Sequence, residues 1–270
     1  MSTGTYRFDG DAGQIHVTTW SGDDDPRFVT LLAHGNGEHA GRSEHVAAML
    51  VGLGAVVYAP DHLGHGRSAG ERALVDDIET LVNDLHAVAD RARADHAGLP
   101  VVLVGHSMGG LIAARFAQRY GAELTALVLS GPIVGGNPAM AMLLEFDPIP
   151  DIPIDPAILS RDPAVGAAYA ADPLVYHGPF HRQTLLALGE SAALVAVGGT
   201  LGGLPTLWVH GTDDQLVPYD VTAATMEQIG GTALRHTAYD GAAHEVFNET
   251  NRDEVLAEVA DFLSEILDLG

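Results

Sequence analysis

Short apolar runs alternate with longer stretches of helical periodicity along most of this chain. Gln14–Trp20, Phe28–Ala33, Ala55–Ala59, Val101–Val104, Leu124–Leu129, Leu204–Val209 and Ala233–Tyr239 read as strands. The unbroken apolar character of several of these is that of strands buried on both faces. Between them, apolar residues return every three or four positions. Leu74–His96 shows this at Leu74, Ile78, Leu81, Val82, Leu85, Val88 and Ala89, and Arg252–Leu267 shows it at Val255, Leu256, Val259, Phe262, Leu263 and Ile266. Further helices are expected at Glu44–Leu53, at Leu111–Tyr120 and near Thr222–Ile229. Strands alternating with helices predict an α/β fold, a mostly parallel central sheet covered by helices on both faces.

The rhythm breaks from Pro132 to about Gly203. Pro138, Pro148, Pro150, Pro153, Pro156 and Pro163 preclude one long helix across the first half of this stretch, which is nonetheless rich in Met, Leu and Ile. It is too long for a simple connection. The expectation is an inserted cap or lid over residues 132–203, on a core built from 1–131 and 204–270. No internal repeat or low-complexity linker interrupts the chain.

Composition narrows the chemistry. The 270 residues, 47% of them hydrophobic, can bury a large core as one domain. The absence of cysteine removes disulfides, thiolate metal sites and a cysteine nucleophile. There is no lysine either: all 13 basic residues are arginine, so Schiff-base chemistry and a serine–lysine dyad are excluded. A net charge of −23 argues against nucleic acid and against electrostatic docking on anionic membranes. Any lipid contact would be hydrophobic. The first residues show no basic region followed by an apolar one, and no run is long enough to span a bilayer, so the expectation is a soluble, cytoplasmic protein.

The most informative stretch is Val101–Gly110. A buried strand runs into Gly105-x-Ser107-x-Gly109 and then into a helix. That order describes a nucleophile elbow, a tight strand-to-helix turn presenting one serine hydroxyl above the sheet edge. A serine nucleophile needs a neutral imidazole, and the imidazole needs a carboxylate to fix its tautomer. On this architecture the partners follow as Ser, Asp/Glu, His, each after a later strand. His244 lies beyond the strand ending at Tyr239, whereas His210 and His236 fall at the end of a strand and inside one. For the acid, Asp213 and Asp214 compete in the loop after Val209; the one deeper in the loop is better placed to turn back toward the histidine. The oxyanion hole needs two backbone N–H donors. Met108, after the nucleophile, is one, and Asn36 in His34-Gly-Asn-Gly37 is the other. His34, His39, His45, His62 and His65 share no ligand spacing, so neither metal nor cofactor is expected.

These residues resemble the monoacylglycerol lipases of the α/β-hydrolase superfamily, most closely the bacterial and actinobacterial members. The resemblance rests on His34-Gly-Asn-Gly-Glu-His39 with Gly41-Arg42, on Tyr58-Ala-Pro-Asp-His-Leu-Gly-His-Gly-Arg-Ser68 with Gly70-Glu71-Arg72, and on Val104-Gly-His-Ser-Met-Gly-Gly110. It extends to Ser160-Arg-Asp-Pro163, Asp172-Pro-Leu-Val175 and His244-Glu-Val-Phe-Asn-Glu249. It implies cofactor-free hydrolysis of a monoacylglycerol to glycerol and a fatty acid. It maps the nucleophile onto Ser107, the acid onto Asp214 and the base onto His244, and sets Glu38 and Arg42 near the glycerol end. The chain departs from the family at Ser43, where tyrosine is usual, and in a shorter stretch between Leu129 and Ser160. Such a substrate wants an apolar tunnel with a polar end. Met140, Leu143 and Leu144 in the cap are candidates to line it, and the Met140–Phe146 surface is a candidate to meet micelles or membranes. A broader carboxylesterase or lysophospholipase would use the same groups on another head group. A non-catalytic ligand-binding member of the fold need not keep all these parts.

Overall fold

The computed structural model describes residues 1–269, and the elements follow in this order: β1 (Ser2–Asp9), β2 (Gln14–Ser21), β3 (Phe28–Ala33), α1 (Glu44–Gly52), β4 (Ala55–Asp61), α2 (Ile78–Asp95), β5 (Val101–His106), α3 (Met108–Tyr120), β6 (Ala126–Ser130), α4 (Pro138–Leu143), α5 (Pro163–Ala171), α6 (Arg182–Val197), β7 (Thr206–Gly211), α7 (Tyr219–Ile229), β8 (Leu234–Tyr239) and α8 (Arg252–Leu267). The eight strands form one sheet in the order β1-β2-β4-β3-β5-β6-β7-β8. β1–β2 and β2–β4 pair antiparallel, and the rest are parallel. The α/β expectation holds.

Alternation of side chains divides the core into two layers. Val29, Leu31, Leu103, Leu127, Leu129 and Trp208 pack on α2, α3 and α6, while Phe28, Leu32, Val102, Val104, Val128 and Val209 pack on α1 and α8. The central strands β3, β4, β5, β6 and β7 are buried on both faces, apart from the half-buried His106 at the end of β5, which accounts for their unbroken apolar runs. β1 was not expected. It is an edge strand whose residues Ser2–Thr5 are exposed, so it has little apolar pattern to read. α2 begins four residues later than the periodicity suggested, because the Asp77 side chain accepts from the Glu79 N–H at 2.8 Å and caps the helix there. The preceding Val75 N–H is held at 2.9 Å by Thr184 of α6.

Residues 132–203 leave the sheet after β6 and return at β7, carrying three α-helices and two short 3-10 turns. α4 and α5 each begin on a proline at the first helical turn, after the capping side chains of Asn137 and Asp162. Pro138 and Pro163 thus start helices rather than break them. α6 lies partly within the core, since Leu188, Ala192 and Val195 join the layer containing α3. Leu159, Tyr169 and Val175 form a separate small cluster with Ile154 and Leu216. Among the described residues no helix is long and apolar enough to cross a membrane.

Candidate active site

The turn between β5 and α3 holds Ser107 at φ 56°, ψ −117°, a left-handed region that non-glycine residues rarely adopt. Neighbouring backbone over-determines this conformation. The Ser107 N–H donates to Ser130 O at 2.9 Å, and Ser107 O accepts from Gly110, Leu111 and Ile133 at 2.9, 3.1 and 3.3 Å. Only glycine fits beside it. A Cβ on Gly105 would lie 2.3 Å from Gly109 O, and one on Gly109 would lie 2.1 Å from Ala33 O.

The loops after β7 and β8 converge on the same point. Asp214 and His244 are buried, and His244 Nδ1 lies 2.7 Å from Asp214 Oδ2. Asp214 Oδ1 accepts from the backbone N–H groups of Leu216 and Val217 at 2.9 and 2.8 Å. Burial alone would raise the Asp214 pKa, but the His244 and His210 imidazoles outweigh it and hold the carboxyl well below the usual range. For His244, burial favours the neutral ring, and the Asp214 charge and hydrogen bond, with Glu245 and Glu38, outweigh it and raise the pKa. Asp213, the competing carboxylate, is exposed at the surface of the same loop.

Ser107 and His244 line one cleft of about 550 Å³ including its open mouth. Asn36 and Met108 line it too, and neither of their backbone N–H groups has a backbone or side-chain acceptor among the described residues. Two donors without partners beside a serine hydroxyl are what a developing oxyanion requires.

Glu38 and Arg42 also line the cleft, but their charges are already committed. Arg42 bonds Glu38 at 2.7 Å and forks onto both oxygens of Glu245 at 2.8 and 2.9 Å, with its guanidinium 5.2 Å from the Tyr169 ring centroid. The other Glu38 oxygen accepts from the Gly35 N–H at 2.7 Å, directly before Asn36. Burial pushes the Glu38 pKa up, and Arg42, His106, His34 and the Gly35 bond together bring it well below the ordinary value. The pair therefore braces the Asn36 loop against the residue following His244.

Of the apolar candidates, Met140 lines the cleft, with Ile133, Ile154, Leu159, Phe180 and Leu188. Leu144 lines a neighbouring cavity between α4 and α6 instead. Leu143 is half-buried on α4 and lines neither. The helix is only one and a half turns long, so its adjacent residues face different ways. His106 was missed by sequence reasoning. Its ring lies 4.8 Å from that of His244, and burial, then the His244 charge, lower its pKa to about 4, leaving it a neutral wall of the cleft. Three of the histidines weighed as metal ligands have other partners. His34 Nε2 accepts from the His62 N–H at 3.0 Å, His39 pairs with Asp172 at 2.8 Å, and His45 reaches Phe247 O at 2.9 Å.

Known proteins similar to it in sequence and shape agree on its kinship. The family model described as serine aminopeptidase, S33, matches residues 24–251. A monoacylglycerol lipase from Mycolicibacterium smegmatis is 38% identical over 96% of this chain and 96% of its own. The Homo sapiens monoglyceride lipase is 32% identical over 88% of this chain and 82% of its own. Among solved structures, the Paleococcus ferrophilus monoacylglycerol lipase superposes with a TM-score of 0.80 at 24% identity, covering 95% of this chain and 99% of that one, which speaks to the fold. The chain belongs to the serine aminopeptidase S33 family of α/β-hydrolases, among the monoacylglycerol lipases.

Proposed function

We propose that the protein hydrolyses monoacylglycerols to glycerol and free fatty acid through a Ser107–His244–Asp214 triad. The observation that carries this reading is the buried Asp214–His244 pair at 2.7 Å, whose histidine lines one cleft with the strained Ser107 and two unpartnered N–H donors. His244 takes the Ser107 proton as the hydroxyl oxygen attacks the ester carbonyl. The Asn36 and Met108 N–H groups bind the oxyanion. The protonated imidazole gives its proton to the departing glycerol oxygen, leaving an acyl-serine. Water, deprotonated by the same imidazole, attacks the acyl carbonyl and releases the fatty acid. Asp214 stays ionised throughout and holds the ring with Nε2 free for these transfers.

The lining supports an ester with a long apolar chain. Ile133, Met140, Ile154, Leu159, Phe180 and Leu188 give the cleft a mainly hydrocarbon wall. An aminopeptidase substrate would instead need a free carboxylate for its α-ammonium group. Glu38 and Glu245, the acidic residues at the cleft, both spend carboxylate oxygens on the one Arg42 guanidinium, so neither stands free for such a group. Residues 132–203 would act as a cap, since they supply Met140, Ile154, Leu159 and Phe180. Exposed Met142, Phe146 and Ile152, at 59, 53 and 58% accessibility, give that segment an apolar outer surface for a micelle or bilayer.

The test is fatty-acid release from emulsified monoacylglycerol beside diacylglycerol and lysophosphatidylcholine, with Ser107→Ala as control. A preference for monoacylglycerol that is abolished in the variant is expected. Equal or faster release from lysophosphatidylcholine, or turnover of short soluble esters alone, would overturn the substrate class.

A further inference from the structure

A second buried histidine stands behind the acid of this site. Alternate residues of a strand share a face, and on β7 that brings Trp208 and His210 together. An indole nitrogen can only donate, and Trp208 Nε1 lies 3.1 Å from His210 Nδ1. Nδ1 is therefore the acceptor, and the ring proton of the neutral imidazole sits on Nε2. That N–H donates to the Val217 carbonyl at 2.8 Å, and the same nitrogen lies 3.2 Å from Asp214 Oδ2. Val217 closes the circuit, since its own N–H bonds Asp214 Oδ1 at 2.8 Å. His210 is wholly buried. Trp208 is fixed in turn by stacking on His236 with centroids 4.0 Å apart, and the Tyr219 hydroxyl lies 3.2 Å from His236 Nε2.

We propose that His210 is a positioning residue for hydrolysis: with its tautomer set by Trp208, it holds the Asp214–Val217 turn through the Val217 carbonyl and keeps the protonated edge of its ring beside Asp214 Oδ2, the oxygen that faces His244. The proposal rests on the triad reading above. A neutral imidazole in this place takes no proton from the carboxylate, but the dipole of its Nε2–H, 3.2 Å from Oδ2, offsets part of the charge that faces His244. Without it, Asp214 faces His244 alone and the turn that aims the carboxylate loses its brace. The base then becomes harder to deprotonate and less well aligned. The other groups facing His244 are Glu245, Glu38 and His106.

The experiment compares His210→Leu, His210→Gln and Trp208→Phe with the unaltered enzyme on a soluble short-chain ester across pH, with Asp214→Ala and thermal unfolding as controls. His210→Leu should lower kcat roughly tenfold, the loss expected for a hydrogen bond at a charged group. KM should stay within about twofold, and the acid limb of the pH profile should move to higher pH. His210→Gln, whose amide reaches the Nε2 position, should recover most of the rate. Trp208→Phe keeps the stack but frees the tautomer, and should show the same changes in smaller degree. A folded His210→Leu with unchanged kcat and an unmoved acid limb would overturn the proposal. Where that variant fails to fold, an unchanged kcat and acid limb in Trp208→Phe would do so. Full activity in Asp214→Ala would instead remove the triad reading, and the proposal with it.

Discussion

Arg42→Met tests the ionic brace at the cleft. Arg42, Glu38 and Glu245 side chains are only 10, 9 and 4% accessible, so the substitution leaves two carboxylates buried without their cation. Stranding one partner of a buried pair costs about 3–5 kcal/mol. For a chain of this size, at about 2 °C per kcal/mol, Tm should fall by about 6–10 °C at pH 7. The deficit should also depend on pH. In the intact protein the Glu38 pKa is depressed, so its contribution is fully present above the ordinary glutamate range and is lost as pH falls through the depressed value. In Arg42→Met burial dominates and the pKa rises instead. Lowering the pH from 7 toward about 4 then neutralises the stranded carboxyls and narrows the gap between the two proteins. Urea unfolding of both proteins at several pH values reads this directly, and Arg42→Met/Glu38→Gln/Glu245→Gln should recover much of the loss at pH 7. A deficit under about 1 kcal/mol, as for an exposed pair, or one independent of pH, would refute the reasoning.

Other consequences are equally open to measurement. In the proposed triad His244 must be neutral to accept the Ser107 proton, and its pKa is raised, so kcat/KM should fall as pH drops through a value above about 6.5. A flat profile down to about pH 5 would contradict that role. Gly109→Ala places a Cβ 2.1 Å from Ala33 O, so it should cost at least about 3 kcal/mol in urea unfolding or yield no folded protein. Gly189→Ala, in the interior of α6 with nothing within 4 Å, should instead gain up to about 1 kcal/mol. Ile154→Ser should lower kcat/KM about tenfold on a long-chain monoacylglycerol while sparing a short soluble ester, and equal losses on both would take Ile154 out of the acyl path.

What the sequence made legible follows from what each element depends on. The buried strands of the central sheet announce themselves through their own apolar side chains, and the proline-broken stretch after Pro132 is visible as a departure from rhythm. β1 is held mainly by pairing to β2 and buries only parts of Tyr6 and Phe8, too short an apolar pattern to read. The site divides in the same way. The Gly105–Gly109 turn is a local matter of backbone space, and the order of strands brings the loops of Asp214 and His244 to one sheet edge. The bonds of Arg42 to Glu245, 203 residues away, join distant loops with no local signal. Asp213 and Asp214 separate by depth in the loop: the deeper one, Asp214, is the buried carboxylate and Asp213 the exposed one. Trp208 and His210 read only as strand residues until the tautomer argument has coordinates to work from. Leu143 shows the opposite failure: an apolar residue in the right segment, on a side of α4 that the cleft does not reach.

The account stands or falls on Ser107 as the nucleophile. Intact-protein and peptide mass spectrometry after reaction with a lipophilic fluorophosphonate tests this directly. The prediction is one adduct, on the peptide containing Ser107, formed at a rate that falls steeply in His244→Ala and blocked by prior incubation with monoacylglycerol. An adduct on another residue, or labelling that survives unchanged in Ser107→Ala, would contradict it.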